Sequence, residues 1–160
     1  MLKKFIFIMK YRSTLFYKRY NHQSREEYID NDKAKMMAYM QMRGFTRPMD
    51  VWYDNILKIL NTEAQNETQY VLRVRKSMHP PDADWVALDM VTKYPVLCVP
   101  LQEDEEFVLS EHSFCLHEGP SDGENGAWTD FHVFCIVAPR LAIMLRLDLL
   151  PERLEDSDDK

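Results

Sequence analysis

The sequence has little glycine, few cysteines and no long apolar run. None of its four glycines lies in a phosphate-cradling turn, which argues against P-loop and dinucleotide-binding folds. Its three cysteines, Cys98, Cys115 and Cys135, lack a C-x-x-C spacing and have apolar neighbours, which predicts buried free thiols. No stretch reaches the roughly 18–20 apolar residues of a membrane span. Only about five apolar residues precede Lys10, too few for a signal peptide. The sequence therefore predicts an intracellular protein, cytoplasmic or nuclear, without a membrane partner.

Charge is distributed unevenly along the 160 residues. Residues 1–93 carry 16 Lys/Arg and 11 Asp/Glu, whereas residues 94–160 carry 4 and 15. The first 25 residues hold seven basic side chains and no acid. A basic helix of this kind could follow a phosphate backbone, or it could be solvated or paired within its own domain. The nucleic-acid alternative depends on Lys3, Lys4, Lys10, Arg12, Lys18 and Arg19.

Apolar residues at helical spacing predict helices in the first half of the chain. Asp32 is expected to accept hydrogen bonds from the first-turn amides of a helix that Gly44 ends. Pro48 is expected to begin the next helix, because its fixed φ suits a first turn. Residues 68–78 predict a further helix, which the prolines of 79–82 would end. The expected inward stripes are Leu2, Phe5, Ile6, Met9, Phe16 and Tyr20; Ile29, Met36, Met37 and Met40; Met49, Trp52, Ile56, Ile59 and Leu60; and Val71, Leu72 and Met78.

Short apolar runs between polar or turn residues predict strands in the second half. The runs are 96–101, 107–109, 114–116, 128–137 and 141–147, with 85–94 fitting helix or strand. Pro139 suits an antiparallel turn between the last two runs. The predicted fold class is α+β, with N-terminal helices packed on a C-terminal, mainly antiparallel sheet. We expect one domain over 1–151, made of a helical part (1–78), a connection (79–94) and a mainly β part (95–151), followed by a disordered acidic tail at 152–160.

Acidic and imidazole side chains concentrate in the second half. Asp130 and His132 are two residues apart on a predicted strand, so their side chains share one face. A carboxylate beside an imidazole can orient it for base catalysis, or the pair can bind a divalent ion together with Glu118 or Glu111. The alternative is structural, with these groups hydrogen-bonding one another or the backbone. The candidate catalytic residues are Glu111, Glu118, Asp130 and His132, and the candidate metal ligands are Glu118, Asp130 and His132.

Four stretches of the chain resemble a known family. They read FIFIMKYR and PMDVWYDNI in the helical part, then FVLSEHSFCLHEGP and WTDFHVFCIVAPRLAIMLRLDLLP in the β part. The chain is similar to the fungal branch of the domain-of-unknown-function family numbered 4238, over roughly residues 2–151. It lacks the family's first segment, which contains His, Pro and an aromatic-rich LxxF pattern. Glu111 stands where the family prefers Asp, and Ala138 where it prefers Ser. The resemblance implies kinship and architecture, with no established activity.

Three functional hypotheses follow from these observations. The first is a non-catalytic or degenerate family member that acts through binding. The second is a metal-assisted hydrolase or nuclease, in which Asp130, His132 and Glu118 or Glu111 hold the ion. The third is nucleic-acid binding through the basic N-terminal helix, for which affinity would fall steeply with salt.

Overall fold

A computed structural model describes residues 2–108, 116–118 and 132–148. These residues form helices first and strands afterwards, which confirms the α+β class. No helix among them is long and apolar enough to cross a membrane. The helices are α1 (Leu2–Arg12), α2 (Thr14–Tyr20), α3 (Lys33–Arg43), α4 (Pro48–Asn61), α5 (Glu67–Ser77) and α6 (Pro80–Thr92), with a 3₁₀ turn at Arg25–Glu27. The strands are β1 (Lys93–Cys98), β2 (Leu116–Glu118), β3 (His132–Ala138) and β4 (Leu141–Leu147).

Local signals in the sequence determine where α3 and α4 end and begin. Gly44 has a φ of 70° directly after α3, the left-handed stop that was predicted. Pro48 is the first residue of α4, and Asp50 accepts a hydrogen bond from the Arg47 backbone nitrogen at 2.9 Å. Both helices therefore confirm the sequence prediction, because each boundary depends only on neighbouring residues.

The predicted cap of α3 is wrong. Asp32 occupies the position before the helix but makes no side-chain cap hydrogen bond. Its carboxylate instead binds Arg19 Nη2 at 2.6 Å and the Tyr28 hydroxyl at 2.7 Å. A hydrogen bond to a charged guanidinium is stronger than one to a helix amide, so Asp32 binds Arg19 and does not cap its own helix. Met36 and Met40 are buried as predicted, but Ile29 is 81% exposed.

The inward face of the first helical segment was predicted only in part. The chain breaks at Ser13 into α1 and α2, and each helix presents its own face to the core. Leu2 and Phe5 are each 41% exposed. Three other members of the predicted stripes, Leu60, Leu72 and Ile29, are also exposed. The buried side chains of these two helices are Ile6, Phe7, Tyr11 and Tyr20.

The stretch 79–94, expected to be a connection, contains α6. Pro80 and Pro81 end α5 as predicted, and they then occupy the first turn of the next helix, where no backbone N–H is needed. Ala83, Val86, Ala87 and Met90 of α6 are buried. The helical part therefore extends to residue 92, and β1 follows without a loop.

The four strands form one antiparallel sheet in the order β1-β4-β3-β2. Pro139 and Arg140 make the turn between β3 and β4, as predicted. The core face of the sheet carries Val133, Cys135, Ile143 and Leu145, which pack with buried residues of the helices. Residues 107 and 108 are not in a strand, although the Phe107 nitrogen donates to the Pro139 carbonyl. The predictions for 109–115, 119–131 and the tail from 149 lie outside the described residues.

Replacing Gly44 by alanine isolates the energetic cost of its backbone conformation. A Cβ at this position would have no heavy atom within 4 Å, so no steric clash is introduced. A φ of 70° disfavours residues with a Cβ. We expect Gly44→Ala to lower the free energy of unfolding by about 1 kcal/mol, measured by urea denaturation. Gly44→Asn should lower the free energy of unfolding less than Gly44→Ala does, because Asn tolerates a positive φ. Equal stability of Gly44→Ala and the parent would contradict the assignment.

Candidate functional site

Four residues, one from each strand, lie side by side in a row across the sheet. In the backbone register, Tyr94 of β1 lies opposite Arg146 of β4, and Arg146 lies opposite His132 of β3. His132 in turn lies opposite Glu118 of β2. We call these four positions the sheet row. The register brings together two of the four residues that the sequence suggested for catalysis, Glu118 and His132.

The sheet row lies on the face of the sheet away from the helices. Successive residues of a strand alternate between faces, and Val133, Leu145 and Leu147 point into the core. His132, Arg146 and Tyr94 are therefore on the opposite face, and each is half-buried. The Arg146 guanidinium lies 5.9 Å from the centre of the Tyr94 ring, and the His132 and Phe134 ring centres are also 5.9 Å apart. A cation, an imidazole and a phenol thus share one partly solvated surface.

The remaining predicted site residues, Glu111 and Asp130, lie outside the described residues. Glu118 is placed by its backbone alone. Among the residues that the structure describes, no group of three His, Cys, Asp or Glu side chains is arranged to hold a metal ion. The proposed metal set includes Asp130, so it stays a prediction.

A second polar cluster is buried in the helical part, centred on Asp82 near the start of α6. Asp82 has no exposed surface. One carboxylate oxygen accepts a hydrogen bond from Arg19 Nη1 at 3.0 Å. The other accepts from Asn55 Nδ2 at 2.6 Å and from the Tyr20 hydroxyl. We call Asp82 and these three partners, together with His79, the Asp82 cluster. It ties α2, α4 and α6 together.

His79 lies between two carboxylates in this cluster. Its Nδ1 is 3.6 Å from Asp82 Oδ2, and its Nε2 is 3.7 Å from Asp32 Oδ2. Both distances exceed hydrogen-bonding range, and within the described chain neither ring nitrogen has a hydrogen-bond partner. Neither His79 nor Asp82 has exposed surface, so neither can touch a substrate in this conformation. The cluster is a structural element.

The surroundings of Asp82 change its acidity in opposing directions. Burial is the largest influence and by itself raises the pKa of Asp82. The approach of His79, the charge of Arg19 and the Tyr20 hydroxyl lower it, and their sum prevails, so the pKa of Asp82 lies below its usual range. Burial and the negative charge of Asp82 raise the pKa of Tyr20 and of Tyr11. Asp82 is therefore held as an anion.

Sequence reasoning missed the Asp82 cluster. From the sequence, the segment 79–82 predicts only the end of a helix, because neither of its two prolines can continue the helical hydrogen bonding. A signal was present, since an acid three residues after His79 falls on the same side of a first helical turn. Its partners Arg19 and Asn55 are 63 and 27 residues away, a distance that no local pattern can bridge.

The family model described as "Protein of unknown function (DUF4238)" matches residues 1–160. The chain belongs to this family. No curated protein and no solved structure matches the chain. The resemblance drawn from the sequence motifs is thereby confirmed at the level of the DUF4238 family.

Most of the basic N-terminal residues of this DUF4238 protein contact their own chain. Lys3 pairs with Glu67, Lys4 donates to the Thr62 carbonyl, and Lys10 lies 3.9 Å from Asp89. Arg19 belongs to the Asp82 cluster. Two members of the predicted set are exposed, Arg12 and Lys18. Nucleic-acid binding stays a prediction, and it now depends mainly on these two side chains.

The described cysteines are both free, in agreement with the sequence prediction. Cys135 is buried as predicted, whereas Cys98, which was also predicted to be buried, is only half-buried. Burial raises the pKa of both thiols, which keeps them protonated and unreactive at neutral pH. Cys115 lies outside the described residues. The described thiols therefore give no support to nucleophilic catalysis.

Proposed function

We propose that this DUF4238 member acts through binding, and that the sheet row recognises an anionic group such as a phosphate or a carboxylate. The observation that carries the proposal is the register that places Arg146 between Tyr94 and His132. A guanidinium has five N–H donors in a planar fork, so it can bind an anion while keeping another partner. The face of the sheet opposite the core gives a ligand access to it.

The neighbours of Arg146 favour recognition over a purely structural role. Tyr94 supplies an aromatic ring and a hydroxyl, and His132 supplies an imidazole ring. Half-burial of all three residues reduces the competition of water for the same donors. Phe134 of β3 and Met144 of β4 lie opposite each other, two residues along from His132 and Arg146 and on the same face of the sheet. Their side chains would contact an apolar part of the ligand.

Substitution of Arg146 tests the proposal. We expect inorganic phosphate or citrate to cause saturable amide shifts at β1, β3 and β4 in NMR titrations. Arg146→Met should weaken binding at least about tenfold, because a hydrogen bond to a charged group is worth that much. The affinity of Arg146→Lys should lie between those of the parent and Arg146→Met, because lysine keeps the positive charge but lacks the planar fork of N–H donors.

The matched control for this test is Arg75→Met on α5. Arg75 is exposed and lies 3.9 Å from an exposed carboxylate, Asp84, so its loss should leave binding unchanged. Equal binding by Arg146→Met and the parent, with both folded, would overturn the proposal. Loss of binding in Arg75→Met as well would show general charge attraction instead of recognition.

Metal-assisted hydrolysis is the second candidate, favoured by the register that sets Glu118 opposite His132. In this proposal Asp130, His132 and Glu118 or Glu111 hold a divalent ion that activates water. Millimolar Mn²⁺, Mg²⁺ or Zn²⁺ would then raise the melting temperature of the parent protein, and His132→Ala would remove that effect. No shift with any of the three ions would count against this candidate. Turnover of a nuclease or esterase substrate, lost in His132→Ala, would refute the non-catalytic proposal.

Two finer predictions from the sequence are kept as proposals. They are membership of the fungal branch of the family and an intracellular location. The odd number of cysteines and their apolar neighbours support the intracellular location.

A further inference from the structure

A cleft separates the start of α1 from the turn that leads into α5, at a site distinct from the sheet row. Its volume is about 370 Å³, within the lower range of small-molecule sites. Its lining includes the polar residues Lys3, Lys4, Asn66 and Glu67. It also includes apolar groups, of which Leu2, Ala64 and Pro95 are exposed and Tyr70 and Met90 are almost fully buried. We call it the lysine cleft.

Both lysines are held in place by main-chain carbonyls. Lys3 Nζ donates to the Met90 carbonyl at 2.6 Å, and Lys4 Nζ donates to the Thr62 carbonyl at 2.6 Å. Lys4 also lies 5.1 Å from the centre of the Tyr70 ring. Carbonyl oxygens orient an ammonium group without neutralising its charge. The positive charges are therefore pre-organised at the wall of the cleft, which reduces the entropy lost on binding an anion.

One carboxylate already shows how an anion fits. Glu67 Oε1 accepts from Lys3 Nζ at 2.7 Å. The side chain of Lys3 is only 13% exposed, whereas that of Glu67 is 56% exposed. Glu67 can therefore rotate into solvent at little cost and leave its place on Lys3 to another carboxylate. Once Glu67 has rotated away, the two ammonium groups of Lys3 and Lys4 carry two positive charges, and a bound monoanion takes over the single negative charge that Glu67 supplied.

We propose that the lysine cleft binds a small organic carboxylate with an apolar body. Its carboxylate would take the place of Glu67 on Lys3, and its apolar part would lie against Leu2, Ala64 and Pro95, the exposed apolar residues of the lining. A carboxylate is favoured over a phosphate because Lys3 already binds a carboxylate, that of Glu67, at this place. The apolar wall explains why a ligand larger than a simple ion is expected.

Sodium octanoate is the probe for this proposal, used in NMR titrations of the full chain. We expect saturable amide shifts confined to residues 2–4, 62–70 and 90–95. Glu67→Gln removes the competing carboxylate and should bind octanoate several-fold more tightly, without loss of fold. Lys3→Met should bind at least about tenfold more weakly. Lys18→Met, an exposed lysine outside the cleft, should match the parent.

Each other outcome overturns the proposal. Octanol binding as tightly as octanoate would show that the lysines contribute nothing. Inorganic phosphate competing equally well would show that the apolar wall contributes nothing. Octanoate affinity unchanged in Glu67→Gln would contradict the exchange of carboxylates, even if Lys3→Met failed to fold. Absence of saturation at millimolar octanoate would remove the site altogether.

Discussion

Asp82→Ala is expected to destabilise the protein by about 3–5 kcal/mol, the usual cost of removing one partner from a buried ion pair. The change leaves Tyr20 and Asn55 without their acceptor and leaves Arg19 with its remaining carboxylates. Domains of this size typically have unfolding free energies of about 5–15 kcal/mol, so much of the stability would be lost. Thermal denaturation should show a melting temperature lower by roughly 10 °C.

The matched control for Asp82→Ala is Asp84→Ala, two residues along the same helix. Both changes remove one negative charge from the N-terminal half of α6, where Asp82 lies in the first turn and Asp84 lies just beyond it. The Asp84 side chain is 71% exposed and has only a 3.9 Å contact with Arg75. Its loss should change stability by less than about 0.5 kcal/mol. Similar melting temperatures for the two variants would show that the Asp82 cluster is not needed for stability.

Arg19→Met is expected to give the second large effect, and to change how stability depends on pH. In the parent, the pKa of Asp82 lies below its usual range. Asp82 therefore contributes stability above the unfolded pKa of about 3.9, and this is lost as pH falls through the folded pKa. Without Arg19, we expect burial to raise the pKa of Asp82 above its unfolded value. In this variant the contribution of Asp82 to the free energy of unfolding is then largest below about pH 3.9, and it is lost as the pH rises through the raised pKa of Asp82.

The difference in unfolding free energy between the parent and Arg19→Met should therefore be largest near pH 7 and should narrow as the pH falls to about 4. The groups that face Asp82 are Tyr11, Tyr20 and Asn55, and His79, which also faces Asp32. Urea denaturation at several pH values measures this difference. A difference that stays constant or widens in acid would contradict the charge assignment for Asp82.

Local signals in the sequence were sufficient where structure depends on neighbouring residues. Gly44 stops α3 because of its own backbone freedom, and Pro48 starts α4 because of its own ring. The turn at Pro139 is correct for the same reason. The α+β class also followed from the sequence, since helical spacing gives way to short apolar runs along the chain.

Local signals failed where a side chain could choose between a nearby and a distant partner. Asp32 was expected to cap its own helix and instead binds Arg19, because a cation at 2.6 Å outweighs a backbone amide. Leu2 and Phe5 belong to the predicted stripe but are each 41% exposed, whereas Ile6 of the same stripe is buried and so is Phe7, which lies outside it. Apolar spacing identifies a helix more reliably than it identifies the buried face, which depends on what packs against it.

The candidate sites divide in the same way. The sequence alone determined which residue types were present, that His132 would lie in a strand, and which family motifs the chain carries. Only the tertiary structure decided that Glu118, His132, Arg146 and Tyr94 share a row, because strand order and register depend on pairing between distant segments. The tertiary structure also decided that Lys3 and Lys4 line a cleft and that Arg19 binds the buried carboxylate of Asp82. Charge and hydropathy along a chain show what each residue can do, whereas packing determines which partners it meets.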